Sequence, residues 1–239
     1  MFSRTLYCFV LNNPEWLLVV LIFSVFSAES YAASDRSLQT KVITEKNVSV
    51  AQFASGKMEG WEEKEFSGYT RYQLKPGADG VTALYAVSQA SASGLFKKIH
   101  IDLNKTPYLN WSWKVDRPLK GLDERSKEGD DYAARIYVVK KHALFFWKTR
   151  ALNYVWSSNQ VRLSQWDNAY ASQARMLAVQ GKYSTVGQWV SEKRNVKQDF
   201  KKIFGEEINK IDVVAVMTDT DNSGRSTSAW YGDIYFSAE

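Results

Sequence analysis

Leu109-Asn110-Trp111-Ser112-Trp113-Lys114-Val115 alternates apolar and polar side chains without a break. A period of two is the period of a strand, because successive Cβ atoms leave opposite faces of the pleat. Leu109, Trp111, Trp113 and Val115 share one face, and Asn110, Ser112 and Lys114 share the other. That is how a strand reads when one side of its sheet is packed and the other is not.

Outward from this stretch the same kind of segment recurs. Residues 69–74, 81–88, 95–103, 132–140, 152–156, 176–180, 213–218 and 230–236 are short apolar or alternating runs, and turn residues such as Pro76, Gly77, Asp79 and Gly80 separate them. About nine or ten strands at this spacing predict a mostly β chain folded as an antiparallel β-sandwich, jelly-roll-like, with one or two short helices. One helix is expected after Asn195, where Val196, Phe200, Ile203 and Phe204 fall at i, i+4, i+7 and i+8 and Gly205 closes the run. Residues 169–177 suggest a second, weaker one. Residues 117–130, dense in charge and holding Pro118, Gly121 and Gly129, are expected to be a long solvated loop.

Residues 1–32 read as an export signal, 33–47 as a polar lead-in and 48–239 as a single β-sandwich domain. Arg4 supplies a thin basic start, and residues 16–26 are apolar but for Ser24. Such a run suits a signal peptide better than a bilayer span, which takes about 20 residues. Ser30 and Ala32 then offer small residues for cleavage after Ala32; an uncleaved anchor is the rival. A periplasmic or secreted protein is expected, with no transmembrane segment after cleavage. Cys8, the only cysteine, precedes the apolar run, so the cleaved chain has no thiol and no disulfide to staple it. Formal charge is +5, and losing Arg4, Glu15 and Glu29 with the signal makes it +6. Charges of both signs are mixed, with no long Lys/Arg run, which argues against a nucleic-acid partner.

Enzyme signatures are mostly missing. There is no Gly-x-Ser-x-Gly elbow, phosphate-binding loop or His-Glu-x-x-His, and only His100 and His142 are available as bases. The informative residues lie opposite the apolar face of their strands: Lys114, Asp131, Arg135 and Tyr137, with Tyr231, Asp233 and Tyr235 near the C-terminus. If these strands are neighbours, Lys114, Asp131, Arg135, Tyr137 and Asp233 form one ligand-binding face of planar polar groups among rings, which suits a sugar's hydroxyl edge and C–H face. A free Arg135 also offers a fork to a uronic acid. An ordinary solvated face with a structural Arg–Asp pair is the alternative. Asp219-Thr220-Asp221-Asn222-Ser223-Gly224 matches the first half of a calcium loop, making Asp219, Asp221 and Ser223 candidate ligands, although Trp230 stands where the bidentate glutamate belongs. Residues 140–150 set Leu144, Phe145, Phe146 and Trp147 between basic flanks. Two buried strand ends joined by a bend are expected there, rather than a membrane-touching hairpin.

Several separated motifs carry a family resemblance: Trp111-Ser112-Trp113-Lys114, Gly129-Asp130-Asp131-Tyr132, Asn153-Tyr154-Val155-Trp156, Arg194-Asn195-Val196 with Asp199, residues 217–224, and Trp230-Tyr231-Gly232-Asp233. In this order they resemble the exported bacterial family called domain of unknown function 3047, over most of residues 50–239. That resemblance implies no activity. Gly232-Asp233-Ile234 is loosely similar to the last strand of galactose-binding-like jelly rolls. Three functions stay open: a module binding a saccharide or cell-envelope glycan, a polysaccharide-acting enzyme using a pair among Asp130, Asp131, Asp219 and Asp233, and an envelope scaffold binding another protein.

Overall fold

A computed structural model describes residues 47–239, apart from Ala143 and the side chain of Phe146. The export signal, Cys8 and nearly all of the lead-in lie outside the described residues. The strands are β1 (Val48–Ala51), β2 (Trp61–Ser67), β3 (Arg71–Pro76), β4 (Thr82–Gln89), β5 (Ala92–Asp102), β6 (Tyr108–Val115) and β7 (Ala134–Lys140). They continue with β8 (Arg150–Trp156), β9 (Gln165–Asp167), β10 (Ala174–Gln180), β11 (Val190–Asn195), the helix α1 (Val196–Phe204), β12 (Lys210–Asp219) and β13 (Ser226–Ser237). One sheet runs β11-β6-β13-β4-β3 with β1 beside β13; the other runs β2-β5-β12-β7-β8-β10-β9. Together they make a jelly-roll-like β-sandwich.

The opening stretch supplies the core as its alternation predicts. Leu109, Trp111, Trp113 and Val115 are buried between the sheets. Trp111 meets Tyr154 at 5.4 Å and Trp113 meets Trp156 at 5.8 Å between ring centroids, so β6 of one sheet is packed ring to ring on β8 of the other. Each such ring removed from water stabilises the fold by roughly 1.5–3 kcal/mol. Helix α1 also forms as read: Asn195 accepts from the Gln198 N–H at 3.0 Å, and Gly205, at φ 70°, donates to Lys201 O. Its Val196 and Phe200 enter the core, while Asp199 accepts from Tyr154 and Arg194.

At five points the structure refines or corrects these expectations. Residues 169–177 hold no helix; β10 starts at Ala174, and its Leu177 and Val179 enter the core with strand period. The antiparallel sandwich forms as expected, with one exception: β10 runs parallel to β8. A parallel pair needs a crossover, and residues 157–173 provide it, placing Trp166 against Tyr132 and Met176 on the outer side of the seven-stranded sheet. Tyr231 points inward, since the register against β6 shifts between Tyr231 and Ile234 and puts both on the core face. Gly232 sits in that bulge, where a Cβ would lie 2.2 Å from Ser112 Oγ. The 117–130 loop forms and exposes Arg117, Lys120, Asp123, Arg125, Lys127 and Glu128, but it is also tied down: Leu119 and Glu124 are buried, and Glu124 accepts from Ser157, Ser158 and Asn159. Finally, the 140–150 hairpin leaves Leu144, Phe145 and Trp147 exposed.

Candidate functional site

The outer face of the seven-stranded sheet carries a pocket of about 270 Å³. Its floor is shallow chemistry made deep by small residues: Ala92, Ala151, Ala171 and Ala174 stand among Tyr137 and Met217. One-carbon side chains leave a hollow where leucines would fill the face. The walls come from the crossover, with Asn168 and Tyr170, and from the turn after β12, with Asp221 and Asn222.

Arg135 and Tyr137 project from β7 to this side, opposite Ala134, Ile136 and Val138 in the main core. Both are buried, Arg135 at 4% exposure. The Arg135 guanidinium donates from Nε to Asp219 Oδ1 at 2.8 Å and from Nη2 to Asp219 Oδ2, and Nη2 also reaches Asp130 O at 2.7 Å. Its Nη1 faces the Asp130 carboxylate at 3.8 Å, and its plane lies over the Tyr132 ring at 4.3 Å. Burial works against this charge, but Asp219, then Tyr137 and Asp130, more than offset it and hold the Arg135 pKa well above its ordinary value. Arg135 and Asp219 are thus an internal ion pair, with the fork already committed. Burial pushes the Asp130 carboxyl up to about 6, opposed by Arg135 and by Asn168, which donates to it at 3.0 Å.

Asn153 was part of a resemblance motif but not of the expected site. It pairs directly with Tyr137 across β7 and β8. Its amide nitrogen faces two carbonyls, Arg175 O at 3.3 Å and Ala151 O at 3.5 Å, which fixes the amide orientation. Its Oδ1 is buried without a hydrogen-bond partner in the pocket wall. The signal that would have pointed to it is a lone polar residue in a run of buried ones, residues 151–156.

The remaining candidates divide. Asp131 accepts from the N–H groups of Asn222 and Ser223 at 3.1 and 2.7 Å and so organises the turn after β12. Asp131, Asp219 and Asp221 bring oxygens within 4.8 Å of one another, and Ser223 Oγ is buried nearby without a partner. Lys114 and Asp233 belong to the other sheet, so the single cluster expected from parity does not form. Lys114 stands 4.8 Å from the Trp230 ring and 3.7 Å from Asp116, and Asp233 accepts from the Ala54 N–H at 2.8 Å. Alternation along a strand sets the side on which each residue lies but not which strands share a sheet. His100 is exposed, and His142 Nδ1 accepts from the Phe145 N–H; neither lines the pocket.

Among solved structures, the chain is similar to a family 30 carbohydrate-binding module of the cellulosomal cellulase CEL9D-CEL44B of Clostridium thermocellum, at 10% identity and TM-score 0.49 over 81% of this chain and 98% of that one. It is similar to the cellulose induced protein Cip1 at 9% identity and TM-score 0.45, over 79% and 96%. It also resembles TmCBM61, solved with β-1,4-galactotriose, at 11% identity and TM-score 0.39, over 79% and 94%. No curated protein matches the sequence. Residues 59–235, which include every wall of the pocket and every strand but β1 and the end of β13, match the family described as Protein of unknown function (DUF3047), and the chain belongs to that family.

Proposed function

We propose that this protein is a binding module for a saccharide, exported to act outside the cytoplasm, and that the ligand sits in the alanine-floored pocket of the seven-stranded sheet. The observation that carries this reading is Asn153 Oδ1. A buried acceptor left unpaired costs about 1–3 kcal/mol, and a ligand hydroxyl or amine donated to it relieves that penalty. The apolar floor suits the C–H face of a sugar ring, and Asn168, Tyr170 and Asn222 offer polar groups to its edge. Because Arg135 is spent on Asp219 and Asp130, a uronic acid no longer has its fork. Asp130, Asp219 and Asp221 line the pocket with Arg135 and Lys127, and this excess of carboxylates favours a neutral or amino sugar over an acidic one.

Calcium belongs to the same proposal at the acidic end, held by Asp131 and Asp221 with Ser223 Oγ, since Asp219 is already neutralised by Arg135. Asp130, an acid poised near neutrality in the pocket, is the residue on which an enzymatic reading would rest; Asp233, on the other sheet, drops out of any pair with it.

A glycan array carrying neutral, amino and acidic oligosaccharides, scored together with reducing-sugar release, tests the proposal. Binding to neutral or amino sugars without release is expected, with Asn153→Ala about tenfold weaker, the loss of one hydrogen bond. Binding that survives both Asn153→Ala and a pocket-filling Ala174→Leu overturns the site, and a preference for uronates overturns the ligand class.

A further inference from the structure

The hairpin joining β7 to β8 presents apolar surface that its strands do not bury. Leu144 is 81% exposed, Trp147 52% and Phe145 38%. The Phe145 and Trp147 rings meet at 5.0 Å, and His142 stacks on Phe145 at 5.3 Å, so these side chains form one patch. Its base is held by polar ties. The Lys141 N–H donates to Asp212 at 2.8 Å, His142 Nδ1 accepts from the Leu144 and Phe145 N–H groups, and Arg150 pairs with Glu206 at 2.8 Å.

The charge around the patch that is not held in an ion pair is positive. No Asp or Glu occurs between residues 132 and 166. Neighbouring elements bring Glu62 paired with Lys98, Asp212 paired with Lys210, and Glu206 paired with Arg150. Lys140, Lys141 and Lys148 make no ion pair among the described residues, and Lys148 lies 5.1 Å from the Phe145 ring. An apolar tip with a tryptophan, edged by ammonium groups, matches the boundary of an anionic bilayer, where rings enter the acyl edge and lysines meet phosphates. A protein interface of ordinary size buries about 800 Å² on each partner, more than a tip of this length offers.

We infer that the 141–149 hairpin docks on an anionic lipid surface, with Leu144, Phe145 and Trp147 inserted and Lys140, Lys141 and Lys148 at the headgroups. Three lysines close to such a surface raise partitioning by roughly a hundredfold over a neutral one. The test uses the full chain carrying Cys8→Ser and Leu144→Cys, labelled with an environment-sensitive fluorophore, against vesicles of phosphatidylglycerol with phosphatidylcholine or of phosphatidylcholine alone. A blue shift and severalfold intensity rise are expected with the anionic vesicles, reversed by salt and weakened at least tenfold by an added Trp147→Glu. The same label at Tyr183, beyond the far end of β10, is expected to stay unchanged. A silent Leu144 label, an equal response at Tyr183, or no difference between the vesicles overturns the inference. Attachment through residues 16–26 alone leaves the Leu144 label silent and counts against it too.

Discussion

The outer faces of the two sheets carry similar residues in opposite states. On the seven-stranded sheet, Arg135, Tyr132 and Asp219 are buried, Tyr132 lies against Trp166 of the crossover, and the cation is locked by hydrogen bonds from two of its nitrogens. On the six-stranded sheet, Lys114, Trp230, Tyr85 and Lys75 lie in a more open row, with Lys75 Nζ 3.7 Å from the Tyr85 ring and Trp230 donating to Asp116 at 2.9 Å. Each face joins cations to aromatic rings, and the first surrounds a hollow of about 270 Å³. On the second face, lysines occupy the ring surfaces on which a sugar would stack. Whether aromatic residues beside charges bind a ligand depends on what already covers them.

The sharpest way to break this comparison is to remove one cation from each face. Arg135→Ala leaves Asp219 buried without its partner, a loss of about 3–5 kcal/mol, while Lys114→Ala is expected to change stability by less than about 1 kcal/mol. Urea unfolding of both variants decides it, and equal losses dissolve the distinction. Restoring part of the loss with Arg135→Ala/Asp219→Ala identifies the stranded carboxylate as the cause.

The next effect is a pH dependence confined to the buried face. Burial raises the Asp130 pKa from 3.8 to about 6, so between those values the folded chain holds a proton that the unfolded chain releases. Stability from this group is full below about pH 4 and falls as pH rises through about 6, by on the order of 3 kcal/mol. Glu124 of the 117–130 loop, also raised by burial, acts in the same direction. The difference between the parent and Asp130→Asn, followed by urea unfolding from pH 4 to 7, isolates Asp130; parallel curves refute the assignment.

Smaller again is the effect of calcium at the acidic end. A site half-saturated at millimolar calcium raises the melting temperature by about 1 °C, and Asp221→Ala is expected to abolish the rise. No rise removes calcium from the site.

Much of the architecture was legible from local pattern. The alternation at 109–115 identified the core tryptophans, and the Asn195 and Gly205 caps delimited α1. The strands β1, β2, β9 and β11 carry no strong period of their own and form by pairing at or near sheet edges; β2 reads Trp-Glu-Glu-Lys-Glu-Phe-Ser. At Arg135 the period correctly predicted the side of the strand and wrongly suggested solvent. At Tyr231 one bulge reversed the alternation midway through β13. Asn153 passed unnoticed because an asparagine among apolar neighbours looks the same whether its carbonyl is paired or not.

By itself, then, the sequence determined the strand character, the inner faces and the helix caps, since these follow from periodicity and from backbone groups a few residues apart. Only the tertiary structure decided that Lys114 and Asp233 sit on one sheet and Arg135 on the other, that Asp219, Asp130 and the Tyr132 ring enclose Arg135, and that alanines of three separate segments meet in one hollow. Those outcomes depend on strand order and on contacts between residues far apart in the chain, such as the 84 positions separating Arg135 from Asp219, and no local period encodes which distant segment will arrive.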